Sequence, residues 1–158
     1  MIQLQKGERA PDFALVDQNG IIVSLSDFRG RRVLLFFYPK AGAAGCTNQA
    51  ASLRDAKEEF EKMGVVIVGI SGDTLDAQKK FGDKHMLGFQ LLSDPDHKIS
   101  ESYGVWGEKT TAGKKSMGVT RSAFLIDWNG TVMEAWYKIT PKDTVPKALK
   151  AMQNELGK

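Results

Sequence analysis

Val33-Leu34-Leu35-Phe36-Phe37-Tyr38-Pro39-Lys40-Ala41-Gly42-Ala43-Ala44-Gly45-Cys46-Thr47 is the stretch on which the fold turns. An unbroken apolar and aromatic run, bounded by charge before and proline after, predicts a strand buried on both faces. A loop of small residues follows. Cys46 then opens a long predicted helix in which Leu53, Ala56, Phe60 and Met63 share one face. Gly64 is placed to end that helix. Val65-Val66-Ile67-Val68-Gly69-Ile70-Ser71 reads as a second buried strand. Strand, helix and strand over this distance make a βαβ unit with parallel strands.

The position of Cys46 bears on chemistry. A thiol at a helix start gains from the positive end of the helix dipole and from unpaired backbone N–H groups. Both stabilise the thiolate, the nucleophilic form. On position alone, a small buried hydrophobe is an equal alternative.

Working outward, Phe13–Val16 and Ile21–Leu25 flank Asp17-Gln18-Asn19-Gly20 and predict an N-terminal hairpin with Asn-Gly at its turn. Residues 26–30 read as a short turn. Asp73 or Thr74 can cap a second helix running to about His85. Phe89–Ser93 reads as a short strand, and Asp94-Pro95-Asp96 starts another helix with Ile99 and Tyr103 on one side. Gly104 to Gly118 carries no clean period. Ser122–Asp127 and Val132–Tyr137 flank a second Asn-Gly turn. Thr140-Pro141 introduces a last helix, with Val145, Ala148, Leu149, Met152 and Leu156 expected on its inner face. The sum is an α/β thioredoxin-like plan: a mixed central sheet flanked by helices on both faces, with an added N-terminal β-hairpin.

Composition sets the bounds. A chain of 158 residues, 42% hydrophobic and 26% charged, is expected to form one globular domain over residues 1–158. The net charge of +3 comes from scattered, interleaved residues, so no nucleic-acid partner is expected. One cysteine cannot make an internal disulfide, and it excludes a cysteine-based zinc site or a C-x-x-C pair. The start, Met1 to Lys6, has no apolar core of signal-peptide length, and no stretch approaches a membrane span. The expectation is a cytoplasmic protein in a reducing compartment, away from membranes.

The ordered set Ala10-Pro11-Asp12-Phe13, Phe37-Tyr38-Pro39-Lys40, Gly45-Cys46-Thr47, Leu91-Leu92-Ser93-Asp94, Tyr103-Gly104-Val105-Trp106-Gly107-Glu108-Lys109 and Arg121–Asp127 resembles the peroxiredoxins of the bacterioferritin-comigratory (PrxQ) subfamily. The resemblance covers nearly the whole chain. It implies a thioredoxin-like fold of peroxiredoxin type and a thiol-dependent peroxidase acting on hydrogen peroxide and alkyl hydroperoxides. The family signature is Pro-x-x-x-Thr/Ser-x-x-Cys. Pro39 matches its proline, shielding the thiolate, and Cys46 its peroxidatic nucleophile. The active-site arginine maps onto Arg121, whose guanidinium would hold the thiolate and stabilise charge on the peroxide oxygens. Gly45, Thr47 and Tyr38 complete the expected substrate-binding set, and the backbone N–H groups of Cys46 and its neighbour would donate to the peroxide. No metal, haem or flavin is implied.

Two features depart from that pattern. The signature hydroxyl falls on Ala43, and Ala44 replaces the proline usual before Gly45. Thr47 lies about 100° further round the helix from Cys46, which argues against its hydroxyl substituting. Many subfamily members carry a resolving cysteine five residues after the first; here that position is Ala51. Turnover would then need an external thiol, from thioredoxin, glutaredoxin or a small thiol, as in one-cysteine peroxiredoxins. A monomer is expected. The alternative is a peroxidase-impaired variant, or a redox sensor or interaction protein on the same fold. A basic interaction module would rest on the net charge alone. His85 and His97 have no partners at ligand spacing, so no metal site is expected. Trp106, Trp128 and Trp136 read as core or surface aromatics, with Trp106 on a loop near the active site. Met117 and Phe37 are expected to line an apolar rim there. The glycines at 104, 107, 113 and 118 lack the strand–helix setting of a phosphate loop.

Overall fold

The computed structural model describes residues 3–157; Met1 and Ile2, part of the stretch read above for a signal peptide, lie outside them, as does Lys158. The apolar run forms β3 (Arg32–Phe37), next to the middle strand of a seven-stranded sheet. It pairs in parallel with β4 (Val65–Ser71), Leu35 facing Val68, and β4 pairs in parallel with β5 (Gln90–Ser93). On its other side β3 runs antiparallel to β8 (Ser122–Ile126), which pairs with β9 (Val132–Trp136). The N-terminal hairpin, β1 (Ala14–Asp17) and β2 (Ile22–Ser24), joins the far edge through β5. Its turn closes on the Asp17 carboxylate, whose Oδ1 accepts from the amides of Asn19 and Ile21 at 2.8 and 3.0 Å.

Burial on both faces of β3 follows from its two-residue period. Leu34 and Phe36 point, with Tyr38 just beyond the strand, toward α1 (Ala44–Lys62), α2 (Leu75–Lys84) and α4 (Thr144–Leu156), where Leu53, Phe81 and Met152 meet them. Val33, Leu35 and Phe37 point the other way, onto Phe13, Leu25, Tyr103 and Phe124. Each fully buried Leu or Phe contributes about 1.5–3 kcal/mol. Helices cover the two faces unequally. Three helices lie on one face. The other is covered by the N-terminal segment, a 3-10 turn at Leu25–Phe28 and the short α3 (Lys98–Ser102).

Several sequence expectations need correction. The first helix begins at Ala44, two residues before Cys46, and ends at Lys62 with Gly64 just past it at φ +72°. Phe37 lines no active-site rim. It is fully buried on the opposite face of the sheet, its ring 5.2 Å from that of Tyr103. Leu156 is exposed, being in the last turn of α4. The stretch without a period contains a two-stranded hairpin, β6 (Trp106–Thr111) and β7 (Lys114–Val119), separate from the main sheet, with Met117 exposed on it. Trp106, expected on a loop, opens β6, whereas the other predicted strands and helices lie within a few residues of their expected bounds. Thr74 caps α2 by accepting from the Ala77 amide at 3.2 Å, and Asp94, four residues before α3, accepts from the first-turn amides of Ile99 and Ser100.

Candidate active site

Cys46 is the third residue of α1, within the turn whose amides lack intrahelical partners. Its side chain faces inward and is 1% exposed. Across from it, the link between β7 and β8 delivers Arg121, whose Nη2 donates to the Cys46 sulfur at 3.4 Å. The guanidinium is held from behind. Nη1 donates to Gln49 Oε1 at 2.8 Å, Gln49 Nε2 donates to Thr144 Oγ1 at 2.9 Å, and the Thr144 hydroxyl donates to the Thr140 carbonyl at 2.9 Å. Gln49 and Thr144 are both fully buried. A planar donor fork fixed at one tip presents the other to the sulfur in one orientation.

Gly45 serves this contact by what it lacks. A Cβ there would sit 3.1 Å from Arg121 Nη2 and 3.6 Å from Pro141 Cγ, so a side chain would crowd the guanidinium away from the thiol. Ala43 occupies the N-cap and makes no side-chain capping bond. The Thr47 amide is spent on the Ala43 carbonyl at 2.8 Å, which leaves Gly45 as the neighbour of Cys46 with a backbone donor to offer. The Thr47 side chain opens into a cleft of about 550 Å³ between α1 and α2, also lined by Asn48, Lys80, Phe81 and His85. It is not brought together with Arg121.

Tyr38 is likewise turned from the sulfur. Its hydroxyl donates to Gln78 Oε1, in a buried chain that continues from Gln78 Nε2 to Ser71 Oγ at 3.0 Å and from Ser71 Oγ to Asp73 Oδ2 at 2.6 Å. The same Asp73 oxygen accepts from the Ala41 amide at 2.7 Å. Burial pushes the Tyr38 phenol well above its ordinary range, so it stays protonated. Tyr38 thus ties both ends of the loop before α1 to the start of α2, rather than offering a hydroxyl to substrate. Pro39 is exposed where β3 ends. Ala51 is half-buried on α1. His85 packs edge-on against Phe81, and His97 stacks on Trp106 with ring centroids 3.7 Å apart.

Cys46, Arg121 and Gly45, anticipated from sequence, therefore meet at one point, whereas Thr47 and Tyr38 do not. Gln49 and Thr144 escaped the sequence reading. Gln49 had a signal: one turn beyond Cys46 on an otherwise apolar helix face, it is a polar residue that burial obliges to find partners. Thr144 had none.

A thiol at a helix start, met by a clamped arginine on this fold, is matched across the sequence. Residues 6–135 match the AhpC/TSA family. The chain belongs to that family, as a peroxiredoxin of the Bcp/PrxQ type. It is 49% identical to peroxiredoxin Bcp of Escherichia coli K12 over 84% of this chain and 85% of the relative. To peroxiredoxin Bcp of Bacillus subtilis it is 41% identical over 96% of each chain. A solved structure from work on alkyl peroxide reduction by the Xanthomonas campestris bacterioferritin comigratory protein superposes with a TM-score of 0.85. That match is at 29% identity and covers 90% of this chain and 91% of that one. The chain has a single cysteine, and hence no resolving cysteine of its own.

Proposed function

We propose that this peroxiredoxin reduces hydrogen peroxide and alkyl hydroperoxides through Cys46, and that an external thiol completes the cycle. The Cys46 thiolate attacks one peroxide oxygen. The S–O bond forms as the O–O bond breaks, the sulfur becomes a sulfenic acid, and water or an alcohol leaves with the proton. Arg121 holds the thiolate and meets negative charge on the departing oxygen with fixed donors, which need no reorganisation during the step. The Cys46 and Gly45 amides add donors from the helix end. Pro39 ends β3 and starts the loop that bounds the pocket. An external thiol then condenses with the sulfenic acid to a mixed disulfide, releasing water, and a second thiol frees Cys46. Thioredoxin, glutaredoxin or a small thiol fits that role, since no second cysteine exists.

The observation carrying this reading is the 3.4 Å contact between Arg121 Nη2 and the Cys46 sulfur, with Gln49 behind it. The alkyl peroxide reduction activity of the Xanthomonas campestris relative supports an alkyl hydroperoxide as substrate. Among the described residues no helix is long and apolar enough to cross a membrane. Action as a monomer in the cytoplasm is part of this proposal. The test is stopped-flow oxidation by hydrogen peroxide followed through tryptophan fluorescence, with intact mass of quenched samples. The expected result is a fast step that adds one oxygen to Cys46 and is lost in Arg121→Ala.

One observation favours a second reading. Ala43 brings no hydroxyl to the helix start, and removing a comparable donor costs about 2.7–4 kcal/mol of barrier. The chain would then be an impaired peroxidase, or a redox sensor that passes oxidation to a partner. A Cys46 reaction no faster than that of a free thiol at the same pH identifies this case.

A further inference from the structure

The hairpin of β6 and β7 carries a lysine that behaves unlike its neighbours. Lys114 and Lys115 are exposed, and Lys115 reaches Glu108 at 3.7 Å across the solvent side. Lys109 is half-buried, and its Nζ donates to the Val119 carbonyl at 2.5 Å. A glycine makes its path. Gly107 and Gly118 face each other across the hairpin, and a Cβ on Gly118 would sit 2.9 Å from Lys109 Cδ. The stem lies over Gly118 and brings the ammonium to the strand end, two residues before Arg121. The link is held from other sides as well. The Thr120 amide donates to the Val105 carbonyl at 2.8 Å, and the Arg121 carbonyl accepts from the Ile139 amide at 2.9 Å.

No carboxylate among the described residues pairs with Lys109. Burial lowers its pKa from the ordinary 10.5, the Arg121 charge lowers it further, and the Cys46 thiolate opposes both. The titratable groups that interact with the sulfur are therefore Arg121 from the link before β8, Lys109 from β6 and, more remotely, Tyr38 from just past β3, whose neutral hydroxyl is turned to Gln78. The only anion in this set is Cys46 itself.

We propose that Lys109 is a positioning residue of the peroxide site: its ammonium is a second cation acting on the Cys46 thiolate, and its bond to Val119 fixes the link that delivers Arg121. This rests on Cys46 being the reactive thiol. The open space over Gly118 is the structural requirement, because a side chain there displaces the stem. Nothing in the role needs Lys109 to touch the peroxide.

The test compares the full chain with Lys109→Met, Lys109→Arg and Gly118→Ala, each checked for an unchanged circular dichroism spectrum. Two rates are followed from pH 5 to 9: alkylation of Cys46 by iodoacetamide, and oxidation by hydrogen peroxide. Lys109→Met is expected to move the alkylation midpoint up by about half a pH unit, and to slow peroxide oxidation about threefold below that midpoint. Lys109→Arg is expected to hold the wild-type midpoint. Gly118→Ala keeps the charge but moves the stem, so it is expected to reproduce part of the shift; it is the deciding variant if Lys109→Met does not fold. Folded Lys109→Met and Gly118→Ala variants with the wild-type midpoint would overturn the role of Lys109 alone. A wild-type profile equal to that of a free thiol would overturn the reading of Cys46 and this one with it.

Discussion

Arg121 and Cys46 stand 75 positions apart in the chain, and their side chains meet at 3.4 Å with Gln49 bonded to the other arm of the guanidinium. The pair is assembled from both halves of the fold. Cys46 comes from the helix of the βαβ unit, and Arg121 from the link that leads into the strand antiparallel to β3. Its geometry thus depends on residues that never touch the sulfur.

Gln49 is the nearest of these. Gln49→Leu keeps the volume and removes the acceptor of Arg121 Nη1, leaving a charged donor unpaired in a buried site. The rate constant for hydrogen peroxide is expected to fall about tenfold, corresponding to about 1.4 kcal/mol. Thr144→Val, one bond further back, is expected to fall less. Stopped-flow kinetics on both variants check the order, and equal effects would contradict a relay through Gln49.

Ala43→Thr adds a hydroxyl at a position that now has neither a cap nor a side-chain donor. An N-cap threonine is worth about 1 kcal/mol, which in a chain of this size raises Tm by about 2–4 °C. The same hydroxyl stands at the signature position, so the peroxide rate is expected to rise at least tenfold. A gain in Tm without a gain in rate would confine the effect to capping.

Ala51→Cys returns a thiol to the fifth position after Cys46. In an intact helix, Cα atoms five residues apart are separated by roughly 8–9 Å, beyond the reach of a disulfide. Peroxide treatment is expected to give a product two mass units lighter than the reduced chain, with a loss of helical circular dichroism from the start of α1. A disulfide without helix loss would contradict this.

Tyr38 and Tyr103 are both buried, and burial raises both phenols above their ordinary value of 10.0. The unfolded chain releases these protons near pH 10, whereas the folded chain keeps them. The unfolded state then binds fewer protons, so stability is full below about pH 10 and falls as pH rises above it. The slope approaches about 1.4 kcal/mol per pH unit for each tyrosine. Urea unfolding between pH 9 and 11.5 checks this, and Tyr38→Phe is expected to remove one tyrosine's share of the slope.

The parts written into local sequence are those governed by short-range physics. The run from Val33 to Tyr38 reads as a doubly buried strand, because no charged residue interrupts it and its six residues are bounded by charge and proline. The small-residue loop and the helix after it place Cys46 among unpaired amides whatever surrounds them. The single cysteine settles that any resolving thiol comes from elsewhere. Tertiary structure decided the rest. The hairpin of residues 106–119 was hidden because it stands apart from the main sheet. With most of β7 exposed it has no alternating apolar face, and its turn is made by Ala112 and Gly113 at positive φ instead of Asn-Gly. The face on which Phe37 lies follows from strand parity against a core that only the assembled sheet defines. The clamp on Arg121 and the course of Lys109 depend on Thr144, Val119 and Gly118. These are ordinary residues in sequence, and they act through where the fold sets their hydroxyl, carbonyl and missing Cβ.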